Sequence, residues 1–241
     1  MIRAVGFDLG DTLIEYEGIP MNWQQEYSSA LTAVAGTWST AASESIAAGS
    51  TILERFNTRL APREQEVGHE AVFSELLLAM GVPSGRVDSL IDPAVDAFFG
   101  HFRRHVRPMP AAIKVVETLS AAEIPAGVLT DVPYGMPRHL ALADLEACGL
   151  GALAPSALTS VDVGYRKPHR SGFLALASLL GCQPGDVLFI GNEQKDVTGA
   201  VRAGMRSALL WRDGCDTPDW GQDVTILGLD AVPGLVRESA V

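Results

Sequence analysis

The chain has 241 residues, 47% hydrophobic and 20% charged, with 18 Lys and Arg against 29 Asp and Glu for a net charge of -11. That length holds one large domain or a core plus an insert, and the composition excludes intrinsic disorder as the default. The acidic balance excludes phosphate-backbone binding as a main activity, because nucleic-acid binders need clustered cations.

Taken in chain order, Ile2 to Phe7 is an apolar run that ends on an acid, Asp8, with Gly10 just beyond. This predicts a buried strand with a carboxylate at its carboxyl end. From there the pattern turns helical. Trp23 to Ala48, Ser50 to Leu60, His69 to Met80 and Val87 to His105 carry apolar residues at three and four spacing. Gly81-Val82-Pro83 and Pro108-Met109-Pro110 punctuate that block.

After Ala111 the rhythm alternates. Ile113 to Ala122 reads as a helix, Ala126 to Thr130 as a strand, Pro137 to Cys148 as a helix and Ala157 to Val161 as a strand. Gly172 to Leu180 is helical, Val187 to Gly191 extended and Val197 to Ala203 helical, while Ser207 to Trp211 and Val224 to Leu227 complete the strands. Alternation of this kind predicts a parallel sheet covered by helices.

The organisation expected is therefore an α/β core domain of 1–14 plus 107–241, interrupted by an all-helical domain of 15–106. An insert placed directly after the first strand emerges at the carboxyl edge of the sheet, where it would serve as a lid over the site. Cys148, Cys182 and Cys215 are odd in number and lack C-x-x-C spacing, which argues against a disulfide framework or a zinc knuckle. No basic amino-terminal region leads into an apolar stretch of signal length, and no run approaches a membrane span. A cytoplasmic protein is expected, with no nucleic-acid partner and no membrane, as a monomer or homodimer.

Four polar points follow predicted strand ends: Asp8, Thr130, Lys167 and the segment Asn192 to Asp196. Carboxylates at the first and last suit a hard cation such as magnesium. The Thr130 hydroxyl and the Lys167 ammonium suit the oxygens of a phosphate or carboxylate. A nucleophile, an anion cradle and a metal are the parts of a hydrolytic site.

The order of these residues makes the chain recognisable. Phe7-Asp8-Leu9-Gly10-Asp11-Thr12-Leu13, Gly127-Val128-Leu129-Thr130-Asp131, Arg166-Lys167-Pro168 and Ile190-Gly191-Asn192-Glu193-Gln194-Lys195-Asp196 resemble the four motifs of the haloacid dehalogenase-like (HAD) hydrolases. The resemblance runs from Ile2 to Trp211, and the helical insert is similar to the C1 type of cap. It implies a Rossmannoid, HAD-like fold and a small phosphorylated substrate. It also implies that Asp8 attacks phosphorus to form an aspartyl-phosphate, that Thr130 binds a transferring oxygen and that Lys167 neutralises charge. Mg2+ would be held by Asp8, the Gly10 carbonyl and the last motif, where Asn192, Glu193 and Asp196 are the candidates. Thr12, Asp131 and Tyr134 are candidate substrate contacts, the last two because they follow Thr130 closely.

Two positions depart from the family pattern. A second aspartate, which protonates the leaving group, usually stands two residues after the nucleophile, and here that position is Gly10. Asp11 is one residue further on and reads as a turn residue, since a one-residue shift in an extended segment reverses the side chain. The usual Gly-Asp of the last motif is Gly191-Asn192, whose neutral oxygen binds magnesium more weakly than a carboxylate. These departures leave two alternatives to a phosphatase: dehalogenase-type hydrolysis at carbon, and a catalytically impaired ligand-binding protein. Against the dehalogenase stand Gly10, where those enzymes carry an aromatic residue, and Thr130-Asp131 in place of Ser-Asn. No lysine occurs between Glu15 and Phe102, so the cap lysine of phosphonatases has no counterpart. His101 and His105, at i and i+4, lack the intervening glutamate of a zinc-protease motif. His169 is assigned to a helix start, and Trp23 and Trp38 to packing.

Overall fold

Ala4-Val5-Gly6-Phe7 forms strand β1, with all four residues buried. A strand covered on both faces shows no polar alternation, which is why this run and Val187–Gly191 read as continuous apolar stretches. The computed structural model describes residues 1–19, 23–38, 43–212 and 216–239. Cys215, and residues 39–42 of the helix predicted over Trp23 to Ala48, lie outside that set. The remaining strands are β2 (Ile14–Tyr16), β3 (Val106–Pro108), β4 (Ala126–Thr130), β5 (Ala157–Thr159), β6 (Val187–Gly191), β7 (Arg206–Leu210) and β8 (Val224–Ile226). The α-helices are α1 (Tyr27–Ala35), α2 (Ser43–Phe56), α3 (His69–Ala79), α4 (Val87–Phe102), α5 (Ala112–Ala121), α6 (Arg138–Ala147), α7 (Ser160–Val163), α8 (Arg170–Leu179), α9 (Gln194–Arg202) and α10 (Val232–Glu238).

Two compact units result, one made of Met1–Glu15, Arg107–Asp131 and Arg138–Val241, the other of Tyr16–Val106 with Val132–Pro137. The first holds a six-stranded sheet in the order β5-β4-β1-β6-β7-β8. Every neighbouring pair is parallel, with Phe7 opposite Val128 of β4 and Ile190 of β6. Helices α8 and α9 supply Phe173, Leu176 and Ala200 to a buried cluster with Ala4, Leu129 and Phe189. Phe173 meets Phe189 edge to face at 4.8 Å, a geometry that contributes beyond area burial.

The second unit is helical. Phe98, Phe99 and Phe102 of α4 are fully buried, and Phe73 of α3 packs edge to face on Phe98 at 5.5 Å. Trp23 stacks on Phe102 at 3.9 Å, the packing role assigned to it above. His101 bonds Glu26 at 2.9 Å.

Several boundaries differ from the sequence reading. The helix expected from Ser50 belongs to α2, which begins at Ser43. The strand expected to reach Val161 stops at Thr159, whose side chain caps α7 by accepting from the Asp162 amide at 3.3 Å, while Asp162 accepts the Thr159 amide at 2.8 Å. Strands β2 and β3 and helix α10 had no counterpart in the periodicity.

Candidate active site

Strand β1 sits at the point where the sheet order reverses. The chain goes from β1 to its neighbour β4 on one side, and from β6 to β7 on the other. Open parallel sheets bind ligands at the carboxyl ends of strands around such a point. Asp8 follows β1 directly, its amide bonded to the Ile190 carbonyl of β6 at 2.8 Å, and Thr130 ends β4. Asn192 to Asp196 follows β6, and Lys167 reaches the same place from the loop ahead of α8.

The Lys167 ammonium organises the group. Its three N–H bonds go to Asp8 Oδ1 at 2.5 Å, Asp196 Oδ1 at 2.6 Å and the Leu129 carbonyl at 3.4 Å, so its donors are all engaged. Burial works to lower the Lys167 pKa, but Asp196, Asp8 and Asp131 together raise it, and it stays charged. Shared with Asp196, the ammonium does not fully compensate Asp8. Burial raises Asp8, Lys167 opposes incompletely, Asp196 adds repulsion, and the carboxyl is pushed up to about 7. Lys167→Met would leave Asp8 and Asp196 facing each other without a counter-charge. A loss of about 3 kcal/mol in urea-unfolding stability at pH 8 is expected, the scale for breaking a buried ion pair from one side; an unchanged midpoint would show that the ammonium does not carry this load.

Asp196 is fully buried, and both its oxygens are engaged. Oδ2 accepts the amides of Asn192 at 3.1 Å and Glu193 at 2.9 Å, while Oδ1 accepts from Lys167. Asp196, named above among the metal candidates, thus ties its own loop to Lys167. Glycine at 191 allows this, because a Cβ there would lie 2.4 Å from Asp196 Cβ. Thr12, fully buried, places its hydroxyl 3.4 Å from Asp8 Oδ2 and 3.2 Å from Asn192 Oδ1. Both oxygens lie within reach of this one hydroxyl.

Asp131 lies beside the cradle. Its Oδ1 accepts the Lys167 amide at 2.9 Å, and its Oδ2 is 3.2 Å from Lys195 and 3.9 Å from Arg166. Burial works to raise this carboxyl, yet Lys195, Lys167 and Arg166 together hold it below the ordinary range. Arg166, itself buried, was named only as part of a motif. Its place between Tyr165 and Lys167 gave no periodic signal, so only its neighbouring lysine pointed to it. Lys195 also pairs with Glu193 at 2.8 Å.

Tyr134 is the remaining candidate substrate contact. It belongs to the helical unit, is buried there, and its hydroxyl bonds that of Tyr27, which also accepts from Asn57 Nδ2 at 3.0 Å. Burial pushes the Tyr134 phenol up, keeping it neutral. Asp11 adopts φ 55°, and its carbonyl accepts from Arg212 at 2.7 Å, as a turn residue does. His169 caps α8, its Nδ1 accepting the Ser171 amide at 3.4 Å.

Among the described residues no three Asp, Glu, His or Cys side chains gather as a metal cluster. The convergence of Asp8 Oδ2 and Asn192 Oδ1 on the Thr12 hydroxyl nevertheless gives a pair of hard oxygens, and the Gly10 carbonyl is adjacent in sequence. Such a set fits magnesium, which is commonly held by one or two carboxylates and keeps several waters. With one charged member, it fits as a weak site.

A family model described as haloacid dehalogenase-like hydrolase matches residues 2–204. The chain is 30% identical over 129 residues to the phosphoglycolate phosphatase of Rhodospirillum rubrum, covering 50% of this chain and about half of that relative's length, 52%. To the phosphoglycolate phosphatase of Salmonella choleraesuis it is 25% identical over 217 residues, 87% of this chain and 81% of that one. The crystal structure of the 2-haloacid dehalogenase from Pseudomonas syringae pv. Tomato DC3000 matches with a TM-score of 0.69 at 22% identity, over 99% of this chain and 100% of that chain. Among the described residues no helix is long and apolar enough to cross a membrane.

Proposed function

The chain belongs to the haloacid dehalogenase-like hydrolases, and within that family we propose that it hydrolyses a small phosphorylated metabolite with Asp8 as the nucleophile. The observation that carries this reading is the Lys167 ammonium set between Asp8 and Asp196 at 2.5 and 2.6 Å. It fixes one carboxylate oxygen, while the other has the Thr12 hydroxyl at 3.4 Å. The phosphatase relatives favour phosphorus over carbon as the centre attacked.

In this reading an Asp8 oxygen forms a bond to phosphorus as the bond to the leaving oxygen breaks. Water then cleaves the aspartyl-phosphate, returning the carboxylate and releasing phosphate. Two easier displacements replace one difficult one. Thr130, whose hydroxyl makes only a 3.5 Å contact to the Asp131 carbonyl, turns to donate to a phosphoryl oxygen. Lys167 stabilises the charge that develops beside it, in a buried setting where such stabilisation is strong. Asp8, the Gly10 carbonyl and Asn192 would hold Mg2+, with Glu193 nearby, and the ion would supply Lewis-acid neutralisation of phosphoryl charge. Gly10 provides no proton, so the leaving oxygen takes one from water or from the substrate itself. The inserted helical unit is read as the family's cap, which would select among substrates.

The test is a direct comparison of products. Phosphate release from p-nitrophenyl phosphate and from phosphoglycolate is measured beside halide release from 2-chloropropionate, with and without magnesium. Phosphate release supports the reading. Halide release without phosphate release moves the chemistry to carbon.

A further inference from the structure

Lysine is scarce in this chain: Lys114, Lys167 and Lys195 are the only three, beside 15 arginines. Two of the three stand at the same site. Lys195 occupies the first turn of α9, one residue before Asp196, and its ammonium lies 3.2 Å from Asp131 and 2.8 Å from Glu193. Its side chain is only 33% exposed.

This placement bears on any cation the site would take. Asn192, in the position after Gly191, is neutral. Asp196 faces Lys167, and both Asp131 and Glu193 face Lys195. Asp8 is then the only carboxylate of the four that would serve a metal, and it already shares Lys167. An ammonium is a compact point charge with three rotatable donors, unlike the planar guanidinium fork. Among side chains it comes nearest to the charge and size of a bound ion.

Resting on the Asp8 reading above, we propose that Lys195 is a fixed internal cation of the site. It supplies, in the absence of metal, part of the positive charge that stabilises an anionic substrate. By the same charge, and by engaging Glu193 and Asp131, it weakens divalent-cation binding at Asp8, Gly10 and Asn192. The wild-type enzyme keeps turnover in chelator as a result.

The test uses the full chain and the variants Lys195→Met, Lys195→Gln and Lys195→Arg. Magnesium affinity is read from the rise of melting temperature with MgCl2, which needs no turnover. Hydrolysis of p-nitrophenyl phosphate is read separately in EDTA and in magnesium. K195M and K195Q are expected to bind magnesium about tenfold more tightly, the scale for removing one unit charge near a divalent ion in a partly solvated cleft. Their turnover in EDTA falls about tenfold or more, and magnesium restores it. K195R, which keeps the charge, stays within about twofold of wild type in affinity. Unchanged magnesium affinity in K195M and K195Q, with only a lower melting temperature, would overturn the proposal and leave Lys195 as a structural tie. If wild type and every variant fail to hydrolyse phosphate esters, the phosphatase reading falls, while the affinity comparison still decides the role of Lys195.

Discussion

Asp8→Asn is expected to lower phosphate-ester turnover by about 10⁴-fold or more and, at the same time, to make the metal-free protein more stable above neutral pH. The first effect follows from chemistry, because an amide oxygen in place of the carboxylate cannot form the aspartyl-phosphate. The second follows from burial. Asp8 is pushed up from the ordinary carboxylate range to about 7. Below about pH 4 the group is protonated in both folded and unfolded chains, and its contribution to stability is fully present. Between about 4 and 7 the unfolded chain ionises while the folded one resists, so stability falls across that window and levels off above it. Asparagine stays neutral throughout. The variant should therefore gain on the order of 2 kcal/mol over wild type at pH 8 and lose the slope between pH 4 and 7. Asp131, held below the ordinary range, has the opposite sign: its contribution is present above about pH 4 and is lost in stronger acid. It is common to both proteins and cancels in the comparison. Urea unfolding of wild type and D8N at four pH values measures the difference. Equal slopes would mean that Lys167 compensates Asp8 in full, and a catalytically competent D8N would remove Asp8 from the chemistry.

A carboxylate that costs stability yet marks the site explains why it was visible in sequence: a buried strand that runs directly into an acid conflicts with good packing. Strands β1, β4 and β6 were legible because burial on both faces demands apolar runs, and their carboxyl ends gave Asp8, Thr130 and the Asn192 segment. Other features left no such trace. Strands β2 and β3 have three residues each, too few for a period to emerge. Helix α10 carries Pro233 and Gly234 in its first turn, a pair that ordinarily marks turns, although proline fits the first turn of a helix. The tie between Asp196 and Lys167 depends on Gly191 letting a side chain fold back onto its own loop. The spacing Glu193-x-x-Asp196 at a helix start is the capping pattern that would have pointed to it. Tyr134 was named for its nearness in sequence to Thr130, which does not reveal the unit a segment packs in. The segment Val132–Pro137 packs in the helical unit, with Tyr134 at φ 50° and its hydroxyl on Tyr27.

Gly10→Asp should raise kcat/KM on a substrate with a poor leaving group, such as phosphoglycolate, by about 10²–10⁴-fold, the range that a positioned general acid contributes. On p-nitrophenyl phosphate the change should stay under about tenfold, because nitrophenolate departs without a proton. The position accepts the side chain. Gly10 is exposed, does not adopt a positive φ, and a Cβ there meets nothing within 4 Å. The left-handed turn residue is its neighbour, Asp11. A new carboxyl at 10 would stand between Asp8 and Asp11 in the chain, and like charges at that range raise its pKa toward the values a general acid needs near neutrality. Folding stability should change by less than about 1 kcal/mol, since the glycine's conformation is open to other residues. The two substrates are measured side by side across pH. An alkaline limb that appears only for phosphoglycolate, together with the selective gain, identifies the new residue as the proton donor. An equal gain on both substrates would place its effect in binding, and no gain on either would show that the missing proton is not what limits this enzyme.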